Sequence, residues 1–456
     1  MAWWTVHGDG RRVTPGEVVG PDERLSWPRT VGLGMQHVVA MFGATFVFPI
    51  LMGLSPQLAV LMSGIATLLF LVLTAGRVPS YLGTSASFVG ATAAIYDLGG
   101  TASDVTGALL VVGVALAVVG GALHLFGQRV IQRALPPVVT GAVVMLIGFN
   151  LAPVVAETYW PQDQWVALAV MVFVIVVTVG FGGFASRIAI FLAVVFGYVL
   201  SWALDRVTGP VGYTDPASGD PVTELRVDLA PVQDAAWFGL PPATTSDVPG
   251  WHLPSFEVGF VLIALPIVIA LVAENAGHVK AVAEMTRDDL DPMMGRAIGA
   301  DGVATLVATS VGGSPTTTYA ENIGVMAATR VYSTAAYVVA ALTAIGFGLC
   351  PKFGAVVNAI PGGVLGGITV VLYGMIGLLG AKIWKENAVD FGDPVNLVPV
   401  AAGTVIAIGD VTLTFSRGFT LGGIALGTIV VVVGYHLSRA LVDRREERTR
   451  SGAGLG

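Results

Sequence analysis

Gly312-Gly313-Ser314-Pro315-Thr316-Thr317-Thr318-Tyr319-Ala320-Glu321-Asn322-Ile323-Gly324 is a polar stretch set between two apolar runs. Pro315 and the threonines disfavour helix at its start, whereas Asn322 to Ala328 suits one. Extended backbone followed by the N-terminus of a half-helix leaves N–H groups free to meet a ligand. A second stretch, Gly83-Thr84-Ser85-Ala86-Ser87-Phe88, has the same broken character and can supply a matching extended segment. Two short strands crossing each other would satisfy part of the exposed hydrogen-bonding capacity. Inside hydrocarbon, such backbone persists only where protein buries it or where it lines a cavity.

The surrounding chain is the kind that lives in hydrocarbon. Its 456 residues are 54% hydrophobic and only 12% charged. Apolar runs of about 20 residues, enough to cross a bilayer core of ~30 Å, recur along nearly the whole length. The 59 glycines suit close helix packing and broken helices. Cys350 is the single cysteine, which excludes an internal disulfide or a Cys-based metal site. The charge of −7 resides on loops and says little about partners. No metal or nucleophile constellation stands out, so we expect no enzyme, no metal and no cofactor.

Fourteen spans fit the pattern, near 30–52, 56–76, 80–97, 105–127, 135–155, 164–182, 187–206, 256–281, 295–312, 314–329, 332–351, 361–381, 393–410 and 418–439. An even number leaves both termini on one side. With the termini cytoplasmic, every Lys and Arg except Arg206, Arg226, Lys352 and Arg417 falls inside, as the positive-inside rule requires. The expected location is therefore the inner (cytoplasmic) membrane, multi-pass. Residues 1–29 lack the apolar core of a secretory signal. They are expected to form a cytoplasmic tail lying on the membrane surface through Trp3 and Trp4. Residues 441–456 form the other cytoplasmic tail. The segment 207–255 is an acidic outer loop rich in Pro, Gly and Thr, expected to be a cap of loop and short helix.

The halves repeat. Arg133-Ala134-Leu135-Pro136-Pro137-Val138-Val139-Thr140-Gly141 resembles Asn358-Ala359-Ile360-Pro361-Gly362-Gly363-Val364-Leu365-Gly366, about half the chain away. Seven spans per repeat, an odd number, force opposite orientations. The expected fold is thus an all-α polytopic membrane protein with a 7+7 inverted repeat and short β-strands in broken spans 3 and 10. Those paired broken spans point to a midplane binding site.

Two carboxylates sit where a lipid-buried helix should carry none. Glu274 closes the apolar run Val258–Ala273, and Glu321 lies in the broken stretch. An acid at the bilayer centre costs ~2.5–3.5 kcal/mol on insertion scales, so it usually faces a polar cavity and binds or relays something. His278 is four residues after Glu274, on the same helix face, a plausible proton relay. The plainer readings are a helix-stabilising pair for Glu274–His278 and a helix cap for Glu321. His37 beside Gln36 reads as a structural histidine, and Asp288, Asp289 and Asp291 as a solvated loop.

From Ser314 through Glu321-Asn322-Ile323-Gly324 to Ser333 the chain resembles the signature of the nucleobase–ascorbate transporter family, in its bacterial uracil-permease branch. Gln36-His37, Ala40-Met41-Phe42-Gly43-Ala44-Thr45, Tyr81-Leu82-Gly83-Thr84-Ser85 and Ala273-Glu274-Asn275-Ala276-Gly277-His278 add to the likeness. The resemblance implies a core domain (30–127 and 256–351, spans 1–4 and 8–11) and a gate domain (128–206 and 352–440, spans 5–7 and 12–14). It implies a homodimer formed through the gates and proton symport by an elevator movement. By similarity, Glu274 and Glu321 accept hydrogen bonds from the N–H groups of uracil, and the Ala320 N–H meets a carbonyl oxygen. His278 and Tyr319 would join Glu274 in proton coupling. Ser85 and Ala86 would line the site from span 3, Ala44 would lie against the ring, and Tyr373 would close it from the gate. Uracil permeases tend to carry an aromatic residue where this chain has Ala86. Either Phe88 fills that space or the site admits a larger base, such as thymine or a purine. Glu321 favours uracil, since xanthine and urate relatives usually have glutamine there. An anion transporter or channel-like protein of the related fold is the alternative of another class, and Glu321 opposes it.

Overall fold

A computed structural model describes residues 4–14, 17–127, 135–215, 219–245, 249–409, 411–414, 420–421 and 423–453. Helices of seven or more residues are numbered in order, interleaved with short strands. The chain begins β1 (Thr5–Val6), β2 (Glu23–Arg24), α1 (Trp27–Leu51), α2 (Pro56–Leu73), β3 (Leu82–Thr84), α3 (Val89–Asp97) and α4 (Ala102–Phe126). Next come α5 (Pro137–Asn150), α6 (Gln164–Gly180), α7 (Ala189–Val207), β4 (Val211–Thr214), β5 (Pro221–Glu224), α8 (Val258–Ala264) and α9 (Ile267–Thr286). Then follow α10 (Met294–Thr309), β6 (Thr316–Thr318), α11 (Ala320–Thr329), α12 (Thr334–Gly348) and α13 (Pro351–Asn358). The chain closes with α14 (Gly362–Glu386), α15 (Pro394–Ile408), β7 (Leu413–Thr414), β8 (Thr420–Leu421) and α16 (Gly423–Ala453).

Among the described residues, eight helical segments are long and apolar enough to cross a membrane, or nine if α12 and α13, bent by 83°, count as one. α6 and α15 are apolar but shorter. The chain is therefore a polytopic helical membrane protein. Local chemistry sets the helix ends. α4 starts in a capping box between Thr101 and Asp104 and stops at Gly127, whose φ of +81° suits only glycine well. Ser55 caps α2 by accepting the Leu58 N–H. Pro266 separates α8 from α9 within one apolar stretch.

The chain falls into two compact units, residues 1–127 with 153–371 and residues 128–152 with 372–456. In the first, α4 and α10 pack backbone to backbone: a Cβ on Gly120 would strike Gly299, and one on Gly302 would strike Ala117. Without a hydrophobic drive between helices in lipid, such small-residue contacts supply the packing energy. α2 meets α12 in the same way, Gly64 facing the Ala341 carbonyl. In the second unit, Gly141 of α5 sits under Trp384 of α14, whose indole N–H donates to the Val138 carbonyl at 3.0 Å. Asn150 ties α5 to the end of α15 by donating to the Ala407 carbonyl at 2.8 Å. The start of the repeat motif, Arg133-Ala134, lies outside the described residues.

The N-terminal tail packs against the chain near the end of α11. β1 pairs in parallel with β2, and Val19 pairs with Val331 just after α11. Thr334 donates its hydroxyl to the Pro21 carbonyl at 2.7 Å and accepts from the Trp4 indole at 2.7 Å. Trp3 lies outside the described residues. Val19, Leu25 and Val331 form a small buried cluster, which explains the docking: the polar tail holds enough apolar side chains to cover the end of α11.

The segment 207–255, expected to be loop and short helix, also holds a pair of strands. β4 and β5 form an antiparallel hairpin, followed by a short helix, Ala230–Asp234. Asp247 lies outside the described residues. Arg226 fastens this hairpin to α6 and α7. Its guanidinium contacts Asp163 at 2.7 Å and Asp205 at 3.1 Å and donates to the Gly209 carbonyl. Burial works against the guanidinium charge, but the two carboxylates outweigh it and hold its pKa up. Arg226→Ala should lower stability by about 3 kcal/mol, the low end of the range for breaking a buried ion pair. A thermal melt in detergent checks this; an unchanged midpoint would mean that the hairpin is held by other contacts.

Candidate substrate and coupling site

The two broken stretches meet. β3 pairs antiparallel with β6, Leu82 opposite Thr318 and Thr84 opposite Thr316. The pairing continues outward through Ser85 N–H to the Pro315 carbonyl and Tyr319 N–H to the Tyr81 carbonyl. Each strand then feeds a helix: β3 leads through a single 3₁₀ turn, Ala86–Phe88, into α3, and β6 leads into α11. Polar side chains from neighbouring helices complete the backbone. Thr305 of α10 donates its hydroxyl to the Thr316 carbonyl at 2.9 Å and accepts the Thr316 N–H at 3.1 Å. Thr67 of α2 accepts the Leu82 N–H at 2.9 Å. Every strand residue is buried, as the cost of unpaired peptide groups in hydrocarbon demands.

Tyr319 locks the crossing. Its hydroxyl donates to the Thr84 carbonyl at 2.7 Å and accepts from Thr45 at 3.1 Å. Its ring occupies the space that a Cβ on Gly83 would need. Because that hydroxyl proton is committed to Thr84, Tyr319 acts here as a clamp between the strands.

Glu274 projects from α9 and Glu321 from the first turn of α11. Both are partly accessible, and Ala320 at the helix start is exposed, whereas Asn275 and Asn322 beside them are fully buried. The first N–H groups of α11 have no intrahelical acceptor, so that end presents donors beside a carboxylate. Glu274 stands within electrostatic reach of Glu321 and of Asp301, and Ser87 lies 3.5 Å from its Oε2. Ala86 is half-buried and Ser85 buried, both on the turn after β3. Phe88 is fully buried two residues further along the same turn. Ala44 is buried on α1, one residue from Thr45. Tyr373 belongs to the second unit, on α14.

His278 shares a helix face with Glu274, yet the two make no ion pair or hydrogen bond. The imidazole turns instead to Thr318, with Nδ1 2.6 Å from its hydroxyl. Thr318 donates onward to Asn275 Oδ1 at 3.1 Å, and Asn275 Nδ2 donates to Asp301 Oδ2 at 2.7 Å. Since the Thr318 proton points to Asn275, Nδ1 must be the donor, which leaves Nε2 as the basic nitrogen. The result is a directed chain from His278 to a carboxylate buried on α10.

Asp301 and Asn275 are absent from the sequence-derived site. Asp301 had a legible signal, because it is an acid inside the expected span 295–312. The reasoning that picked out Glu274 and Glu321 applies to it equally. His37 proves to be a fully buried neighbour of the site. Asn322 Nδ2 donates to the His37 carbonyl at 3.0 Å, and the His37 ring packs at a 36° tilt against Tyr337, centroids 4.4 Å apart.

The site is thus a pair of crossed strands, each feeding a short helix, with two accessible acids beside it, and the family and relatives it matches are permeases, transporters and not enzymes. Residues 28–415 match the Permease family, and the chain belongs to that family, the nucleobase–ascorbate transporters. It is 44% identical to the putative pyrimidine permease RutG of Escherichia coli (strain K12), over 94% of each chain. It is 35% identical to the uracil permease of Bacillus caldolyticus, over 91% of this chain and 93% of the relative. Among solved structures, the fold resembles SLC26A9 with a TM-score of 0.59 at 14% identity, covering 90% of this chain and 65% of that one. It also resembles the transmembrane domain of the cyanobacterial bicarbonate transporter BicA, with a TM-score of 0.53 at 13% identity, covering 89% of this chain and 96% of that one. These likenesses concern the fold alone.

Proposed function

We propose that this chain is a proton-coupled symporter that imports a nucleobase, uracil first, across the inner membrane. The observation that carries the reading is the pairing of two accessible carboxylates, Glu274 and Glu321, with the open N-terminus of α11. Uracil presents two N–H donors and two carbonyl acceptors. Two carboxylates and the Ala320 N–H complement that edge, and an analogue that leaves one of them unpaired is disfavoured. The names of the most similar relatives, pyrimidine and uracil permeases, agree with this chemistry. In the same reading Ser85, Ala86 and Ala44 line the ring.

Proton coupling falls to Glu274 and to His278, whose Nε2 is free to take a proton. The chain through Thr318 and Asn275 links that histidine to Asp301, and Tyr319 holds the strands that carry Thr318. The fourteen-span inverted repeat belongs to the same proposal. In its favour, each broken stretch runs strand then short helix, and the short apolar helices α6 and α15 supply spans beyond the long ones. Movement of a core (spans 1–4 and 8–11) against a gate (spans 5–7 and 12–14), dimeric through the gates with both termini cytoplasmic, is the expected transport cycle.

A purine substrate is the second reading, favoured by the small side chain of the half-buried Ala86. Uptake of radiolabelled uracil into proteoliposomes, with and without an inward proton gradient and in competition with xanthine, tests both. Gradient-driven uracil accumulation is expected. Xanthine accumulation without uracil uptake would overturn the pyrimidine assignment, and gradient-independent uptake would overturn the coupling.

A further inference from the structure

Residues 236–245 and 249–256 carry six large apolar side chains that face outward: Trp237, Phe238, Leu240, Trp251, Leu253 and Phe256, each at least half exposed. Nothing in the transport chemistry uses them. Trp251 N–H donates to the Pro242 carbonyl and Thr244 N–H to the Trp251 carbonyl, so the ribbon has its own short pairing. It is also fastened to the ends of membrane helices. Gly239 N–H donates to the Leu349 carbonyl at the end of α12, and His252 N–H to the Val311 carbonyl after α10. Ser255 N–H donates to the Ser103 carbonyl, and its hydroxyl donates to Asp104 at 2.6 Å, at the start of α4.

These bonds fix the height of the ribbon at the level where three helices end. Leu253 and Phe256 then run straight into Val258 and Leu262, exposed residues of the α8–α9 span. The apolar surface is therefore continuous with the lipid-facing surface. Chemistry points to the same environment. Lys352 lies 5.2 Å from the Trp237 ring and donates to the carbonyls of Val232 and Gln233, while Glu257 sits between Phe256 and Val258. Aromatic rings mixed with charges and carbonyls at the ends of spans match the headgroup–acyl boundary, where Trp is enriched. We propose that residues 236–245 and 249–256 form an interfacial anchor, with these side chains seated in the boundary layer of one bilayer leaflet.

The test is spin-label accessibility in lipid nanodiscs. A label on Phe238→Cys and, separately, on Leu253→Cys is placed in the Cys350→Ser background of the full chain. Expected is stronger relaxation by oxygen, which partitions into lipid, than by a water-soluble nickel chelate, at a depth near the headgroups. Preference for the chelate at both positions would place the ribbon in water and overturn the proposal. Protection from both reagents with label–label broadening would assign the surface to a second copy of this chain and overturn it equally. Trp quenching by lipids brominated near the headgroup, compared between the unlabelled chain and its Trp237→Phe/Trp251→Phe variant, reads the same surface without cysteine changes. Loss of the shallow quenching in the variant is expected, and unchanged quenching contradicts the anchor.

Discussion

Glu274→Gln should abolish concentrative uracil uptake while leaving the protein folded. The carboxylate is asked to accept a hydrogen bond from a ring N–H and to take part in coupling, and glutamine keeps the shape but not the charge. A hydrogen bond to a charged group contributes about 1.5–3 kcal/mol, which corresponds to roughly 10- to 100-fold in affinity. The loss in gradient-driven accumulation should be larger still, because the coupling group is removed along with the contact. Stability should not fall. Glu274 stands among Glu321 and Asp301, and taking one charge from three clustered acids relieves repulsion and desolvation. Binding by scintillation proximity, uptake with an imposed gradient and a thermal melt separate these effects. Near-normal gradient-driven uptake by Glu274→Gln would remove this residue from the mechanism. Weak binding with intact coupling would leave it as a ligand only.

The architecture of the site was readable because the bilayer makes polar sequence conspicuous. Pro315, the three threonines and Gly83 broke apolar runs that otherwise demanded helix, and the only remedies in hydrocarbon are burial and pairing. β3 and β6 do pair, residue against residue. What sequence alone could not supply was the direction of each side chain. Helical spacing puts Glu274 and His278 on one face, but Thr318 arrives from a strand 40 residues later in the chain and captures the imidazole instead. Asp301 was equally visible in composition, though its partner Asn275 becomes evident only when α9 and α10 are in place. The N-terminal tail shows the opposite bias. Its polar composition gave no sign of a docking place, yet Val19, Leu25 and a few backbone bonds suffice to dock it beside α11.

Gly83→Ala is expected to disable the site from a position that touches no substrate. An added Cβ would lie 2.5 Å from Tyr319 Cζ and 2.6 Å from its hydroxyl oxygen. A long side chain can often swing away from such a clash, but this ring cannot. It is 4% exposed, and its hydroxyl is held between the Thr84 carbonyl and Thr45. Moving it breaks both hydrogen bonds, about 1 kcal/mol each, and adds overpacking of roughly 1–3 kcal/mol. The displacement falls on the residue before Ala320 and Glu321 and on the strand that carries Thr318. Substrate affinity should therefore drop by about 100-fold or more, together with a lower melting temperature. Tyr319→Phe separates the two contributions, since it removes the hydrogen bonds and keeps the ring. It should cost less than Gly83→Ala in both readouts. The double variant Gly83→Ala/Tyr319→Ala, with the ring gone, should melt no lower than Tyr319→Ala alone. Wild-type binding by Gly83→Ala would show that the strand crossing tolerates a shift of Tyr319, and with it that the geometry around Glu321 is looser than these hydrogen bonds imply.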